Sequence, residues 1–221
     1  MLVTGDTHGE QNRFNEILSQ AKRNDIILIC GDCGLLFHDL ITEHIFLNKL
    51  EKEPYSICFC DGNHENFSAI YRYPCEEWNG GKVHRIRNNI FHLMRGQVFT
   101  IEGKKIFTMG GAYSVDKYMR TENVSWWKEE LPTNEEYAEA VKNLKANDFS
   151  VDYIISHTAP REIIRRMGAN PDFAKDSELT GFLEWVMYET KYRKWFFGHW
   201  HKDEQIDEKH RAVWFDLIRP E

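Results

Sequence analysis

The sequence predicts an α/β domain from three observations. Short apolar runs alternate with longer amphipathic stretches through the first third of the chain, which is the rhythm of parallel strands joined by helices. Several of those runs end in Gly-Asp or Gly-Asn, and open α/β sheets gather their ligand sites at the carboxyl ends of strands. The 221 residues, 42% hydrophobic and 14% aromatic, suffice for one domain with a sizeable core.

The elements follow in order. LVTG, IILICGD and SICFCDGN read as strands, separated by the amphipathic stretch EQNRFNEILSQAKR and by a second helical stretch at 38–51. From Gly80 the texture changes to short strands, and FTIEGKKIFTMGG carries a Glu-Gly turn between two β-rich runs, the mark of an antiparallel hairpin. Residues 112–147 read as a surface insertion, polar and aromatic at first and then helical from Thr133, whose spacing to Glu136 matches a capping box. VDYIISHTAP resumes the alternation as strand and loop, helices are expected near 161–167 and 178–190, and KWFFGHWH and AVWFDLI supply the last strands. Without a repeat or a Pro/Gly/Ser linker, residues 1–221 are expected to form a single domain.

Bulk properties narrow the function. A formal charge of −7 disfavours a long non-specific grip on duplex nucleic acid, which depends on Lys and Arg displacing counterions from phosphates. The start MLVTGDTHGE has no cationic region followed by an apolar one, and no stretch approaches the roughly 20 apolar residues of a membrane span. A cytoplasmic location is therefore expected. The five cysteines are an odd number and lie largely in apolar runs, so they read as buried thiols; the CxxC spacing of Cys30 and Cys33 has no second pair to complete a zinc ribbon.

Chemistry concentrates in five polar clusters, each following an apolar run: GDTHG (5–9), GDCG (31–34), GNHE (62–65), SHT (156–158) and GHWH (198–201). Asp carboxylate and neutral imidazole suit borderline divalent metals such as Mn, Fe and Zn. Asp6, His8, Asp32, Asn63, His157, His199 and His201 exceed the four ligands of a closed mononuclear site, so two metals with one bridging carboxylate are expected. Paired metals clamp the attacking and leaving oxygens of an in-line displacement at phosphorus. The flanking glycines are expected to let the backbone take positive φ and approach a metal or phosphate closely.

The ordered set of clusters resembles the calcineurin-like metallophosphoesterase superfamily, and it spans Asp6 to His201, almost the whole chain. The resemblance implies a four-layer αββα sandwich of two mixed β-sheets flanked by helices, with the dinuclear site at the C-terminal ends of strands. Asp6, His8 and His201 would hold one metal and Asn63, His157 and His199 the other, with Asp32 bridging. Two divalent ions are implied, Mn first, with Fe, Zn, Ni and Co as alternatives. A metal-bridging hydroxide would be the nucleophile, with His64 contacting the substrate phosphate and protonating the leaving oxygen, a role an imidazole titrating near neutrality can fill.

The implied activity is a phosphatase or phosphodiesterase acting on a small phosphoester, a nucleotide being one candidate, with oligomeric state left open. A metal-binding interaction scaffold without catalysis is the alternative. A protein phosphatase fits less well, because GDCGLLFHD lacks the Asp and Arg that branch adds to its second motif. That departure leaves the partner of His64 open, Asp39 and Glu65 being the acidic candidates. Arg161, close behind the His157 loop, is the arginine expected to reach substrate; Arg85, Arg87 and Arg95 are expected on solvated faces. His38, His44, His84, His92 and His210 have no motif neighbours and read as structural, and the Trp126–Trp127 pair reads as core or lid packing.

Overall fold

A computed structural model describes residues 1–171 and 177–221. Strand β1 (Leu2–Thr4), helix α1 (Gln11–Gln20), β2 (Ile26–Ile29), α2 (Ile41–Leu50) and β3 (Ser56–Phe59) alternate as the apolar periodicity predicts. A short helix α3 (Phe67–Ile70) leads into β4 (Cys75–Trp78), β5 (Gly81–Arg87) and β6 (Ile90–Leu93), and the predicted hairpin is β7 (Gln97–Ile101) with β8 (Lys104–Met109). Helix α4 (Asn134–Ala146), β9 (Tyr153–Ser156), α5 (Arg161–Arg166), α6 (Ser177–Glu189), β10 (Lys194–Phe197), β11 (Glu204–Gln205) and β12 (His210–Ala212) complete the chain. The Thr133 capping box forms, Thr133 Oγ1 accepting from Glu136 N at 3.2 Å while Glu136 Oε2 accepts from Thr133 N at 2.7 Å.

Two mixed six-stranded sheets stack face to face, ordered β1-β2-β3-β6-β5-β4 and β11-β12-β10-β9-β8-β7. Within them β1, β2, β3 and β6 run parallel, as do β8, β9, β10 and β12, and the remaining pairings are antiparallel. The period-2 alternation of strand side chains creates the layers. In β2 and β3, Ile27, Ile29, Ile57 and Phe59 turn towards Phe14, Ile17, Leu47 and Leu50 of α1 and α2. Their neighbours Leu28 and Cys58, with Cys30 and Cys60 just beyond, pack in the middle layer against Phe99, Ile106, Tyr153, Ile155 and Phe196 of the second sheet. On its far face that sheet buries Phe107, Ile154, Trp195 and Phe197 against Ala140, Leu144, Ile163 and Leu183 of α4, α5 and α6. Each such side chain contributes about 1.5–3 kcal/mol by leaving water. The result is the αββα sandwich.

The chain crosses from the first sheet to the second between β6 and β7, and Arg95 stands at that crossing. Its side chain is 2% exposed and donates to Asp61 Oδ2 from Nε at 2.8 Å and Nη2 at 2.5 Å, while Nη2 also reaches Glu129 O at 2.6 Å. Arg95 is thus a buried tie between the end of β3, the crossover and the segment before α4, not a solvated surface group. Burial alone would raise the Asp61 carboxyl, but Arg95 and His92 outweigh it and hold it at about 2. Replacing Asp61 with Asn removes the bidentate, fully buried partner and leaves the guanidinium with the more exposed Glu136 carboxylate, 3.2 Å from Nη1, a change expected to cost about 3 kcal/mol. Urea denaturation measures this, and a loss below about 1 kcal/mol would contradict the assigned role.

Candidate metal centre

All five polar clusters follow strands that end at one edge of the sandwich: β1, β2 and β3 in the first sheet, β9 and β10 in the second. The loops are laced together by backbone groups. Thr7 N and His8 N donate to Asp32 O at 3.1 and 2.8 Å, and Gly9 N donates to Cys33 O at 2.8 Å. Glu65 Oε1 accepts from Cys33 N at 2.6 Å, which ties the GNHE loop to the GDCG loop.

The seven expected ligands come together in two groups around Asp32. In the first, Asp6, His8 and His201 each offer a ligand atom within 4.8 Å of the others. His201 Nε2 lies 3.1 Å from Asp6 Oδ2 and 3.2 Å from His8 Nε2. In the second, His157 Nε2 lies 3.1 Å from Asn63 Oδ1, and the His199 ring centroid is 5.0 Å from that of His157. Asp32 stands between them, Oδ1 3.4 Å from His157 Nε2 and Oδ2 4.0 Å from His8 Nε2.

Proton positions test whether a cation fits. His157 Nδ1 lies 2.8 Å from the carbonyl oxygen of Cys30, which can only accept, so Nδ1 carries a proton and, in the neutral ring, Nε2 presents a lone pair. That lone pair faces Asn63 Oδ1 and Asp32 Oδ1, both acceptors. Asn63 Nδ2 in turn donates to Ser114 Oγ at 3.1 Å, which points Oδ1 inward. Three acceptors aimed at one another in a buried space repel unless a cation lies among them, so the donor set fits a divalent metal.

Backbone strain supports a functional reading of the same residues. His8, Asp32, His199 and His201 take φ of 46°, 48°, 67° and 47°, a region that costs non-glycine residues of order 1–3 kcal/mol. The expectation that motif glycines supply positive φ holds for Gly31 at 87°, yet Gly62 and Gly198 serve differently. A Cβ on Gly62 would come within 2.1 Å of Asp32 Oδ1, and one on Gly198 within 2.2 Å of Asp6 Oδ1. These glycines leave room for the carboxylates.

The electrostatics follow from burial and convergence. Burial would raise the Asp32 carboxyl, but His157, His64, His8 and the His64 backbone N–H, 2.7 Å from Oδ1, hold it below the usual range. Desolvation and the neighbouring His157 pull His199 down to about 4, keeping it neutral and able to ligate near neutral pH. The hydrogen bond that His201 donates to Asp6 raises its pKa against the effect of burial.

Neither acidic candidate partners His64. Asp39 binds Arg72 and His44, and Glu65 is taken by Cys33 N. The His64 ring instead meets Arg120, at 3.2 Å from Nδ1 and 3.0 Å from Nε2, and desolvation lowers its pKa, opposed by Asp32 and reinforced by Arg120. Arg161 opens α5, with its Cδ 4.0 Å from where a Cβ of Gly181 in α6 would stand. Trp127 is buried, donates to Ser68 Oγ at 2.9 Å and packs edge-on against Phe37.

Sequence reasoning did not single out Arg120, Ser114 or Trp214, whose ring stacks on His201 with centroids 5.0 Å apart. None has a motif around it, and each reaches the site from a distant segment. Among the other histidines, His210 lies between Asp207 and Tyr192, and His84 pairs with His92.

His84, like His199, is held at about 4 by desolvation. The unfolded chain protonates both near 6.5 while the folded chain does not, so the metal-free protein is expected to lose stability as pH falls from about 6.5 to 4. Thermal melts in chelator across that range check this. A melting temperature that is flat or rises on acidification would contradict it.

A comparison with known proteins places this geometry. The family model described as calcineurin-like phosphoesterase matches residues 1–203. The lariat debranching enzyme of Schizosaccharomyces pombe is 24% identical over 231 residues, covering 90% of this chain and 47% of its own, so the chain spans about half the length of that relative. The solved structure of the phosphopantetheinyl hydrolase of Mycobacterium tuberculosis aligns with a TM-score of 0.48 at 14% identity, over 96% of this chain and 88% of the other. With a family match over nearly its whole length and the matching clusters gathered at one edge of an αββα sandwich, the chain belongs to the calcineurin-like phosphoesterase family.

Proposed function

We propose that the chain hydrolyses small phosphoesters, monoesters or diesters, with two divalent cations held at the strand-end cluster. The observation that carries this reading is the inward-facing acceptor set: His157 Nε2, Asn63 Oδ1 and Asp32 Oδ1 lie within 3.1–3.4 Å contacts, with Asp6, His8 and His201 grouped beside them. Asp6, His8 and His201 would hold one cation and Asn63, His157 and His199 the other, with the Asp32 carboxylate shared. Manganese is the metal proposed by resemblance to the family, and the mixed nitrogen and oxygen donors also accept Fe, Zn, Ni or Co. Bound divalent cations supply Lewis acidity towards phosphoryl oxygens and lower the pKa of water.

The chain's own groups do the rest. Cys30 O fixes the His157 tautomer and Ser114 fixes the Asn63 amide, so both ligand atoms are oriented before any cation arrives. His64, carried by the loop that donates its backbone N–H to Asp32, is the proposed general acid that gives its proton to the leaving oxygen. Burial and the Arg120 charge lower its pKa and make it the stronger acid. Asn63, His64 and Arg161 are the substrate-contact candidates. A pocket of about 250 Å³ is lined by His64 together with His8, Gly9, Gly34, Phe37, His38 and Glu43, and its aromatic side suits the organic part of the ester, a nucleotide included.

Protein stripped of metal and reloaded with Mn is expected to hydrolyse p-nitrophenyl phosphate, bis-p-nitrophenyl phosphate or both, and Asp32→Asn is expected to abolish this. Absence of turnover across Mn, Fe, Co, Ni and Zn with a broad phosphoester panel would overturn the assignment. His64→Ala is expected to keep its metal content, measured by elemental analysis, while turnover falls by about 10²–10⁴-fold. Unchanged turnover in that variant would remove His64 from the mechanism.

A further inference from the structure

Arg120 lies in the segment between β8 and α4, directly after the first of its two 3-10 turns, Lys117–Met119. Its guanidinium is braced from one side. Nε and Nη2 donate to Asp116 Oδ2 at 2.9 and 2.7 Å, and Nη1 donates to Ser125 O at 3.3 Å. A guanidinium has five N–H groups, and these contacts use three of them. The other two point at the His64 ring, Nη1 3.2 Å from Nδ1 and Nη2 3.0 Å from Nε2.

Those two contacts cannot both be hydrogen bonds. A neutral imidazole has one acceptor nitrogen and one N–H, and an imidazolium has no acceptor at all. At least one Arg120 N–H therefore faces His64 without an acceptor, on a side chain only 16% exposed to water. An arrangement of this kind is satisfied by an acceptor that enters between or beside the two side chains, and a phosphoryl oxygen has the charge and geometry for a guanidinium edge.

We propose that Arg120 is a substrate-binding residue that donates to a non-bridging oxygen of the substrate's phosphoryl group, held in place by Asp116. The proposal rests on the phosphoester reading of the preceding subsection and adds a phosphate contact from outside the strand-end clusters. The same segment supplies Ser114, whose hydroxyl orients Asn63, and its far end is fixed by the buried Glu130, which accepts from Ser114 N and Lys117 Nζ at 3.2 Å each. The Arg120 charge thus sits on an anchored frame beside the proposed acid, and phosphate binding exchanges its contact with His64 for one with substrate.

The test uses the full chain loaded with Mn and inorganic phosphate as probe, with affinity read by calorimetry and KM read separately with p-nitrophenyl phosphate. Arg120→Ala and Arg120→Gln are expected to weaken phosphate binding by about tenfold to a hundredfold and to raise KM, at wild-type Mn content and melting temperature. Arg120→Lys is expected to recover part of the affinity, and Asp116→Asn to fall between wild type and Arg120→Ala. Wild-type phosphate affinity in Arg120→Gln at full Mn occupancy would overturn the proposal, as would a wild-type protein that binds no phosphate. A wild type that binds Mn and phosphate but hydrolyses no ester would sink the proposed function alone, because the affinity difference would still report on Arg120.

Discussion

The hydrogen bond from His157 Nδ1 to the carbonyl of Cys30, 2.8 Å long and wholly buried, is the interaction on which the rest of the site depends. It joins residues 127 apart in sequence and spans the two sheets at the edge where their strands end. Because the carbonyl can only accept, the bond settles which imidazole nitrogen carries the proton. Everything inward of it then follows: the Nε2 lone pair faces Asn63 and Asp32, and the group of acceptors becomes a place where a cation belongs. A slip of either sheet along the other would break this bond, so packing of the middle layer and ligand orientation are the same problem.

The site also shows where the fold tolerates strain. Four of the seven candidate ligands have left-handed backbone conformations, and Asn63 Oδ1 and Asp32 Oδ1 crowd His157 Nε2 at 3.1 and 3.4 Å in a buried space. Both features oppose folding, and the surrounding apolar layers offset them. Leu28 and Ile29 before Asp32, and Phe197 before His199, are almost fully buried within four residues of the strained positions. Stability held in the layers and strain held at their edge is the distribution expected where groups must be set in place before a ligand binds.

The segment between β8 and α4 gives the site its individual character. It brings Ser114 to Asn63 and Arg120 to His64, and it is held down by Glu130, by Trp127 under Phe37, and by the Arg95 contact to Glu129 O. Helix α4, in the same stretch as the expected surface insertion, packs Ala140 and Leu144 into the core of the second sheet. Its anchoring therefore ties the residues beside His64 to the body of the protein. The Asp/His cluster is built by strand ends and the surroundings of His64 by this segment, so the two parts of the site are structurally separable.

The sequence by itself determined the strand and helix alternation of the first third, the β7–β8 hairpin, the capping box at Thr133 and which polar residues gather at the strand-end edge. These are local features: side-chain period, turn chemistry and Gly-flanked polar groups after apolar runs are written in contiguous residues. Tertiary structure alone decided that Arg120 rather than Asp39 or Glu65 meets His64, that Arg95 is a buried tie, and that Gly62 and Gly198 are needed for room rather than for positive φ. Each of those outcomes depends on which distant segments share a few ångströms of space. A lone Arg or Gly carries no periodic signature of its neighbour across the fold, so only the packed chain reveals what it does.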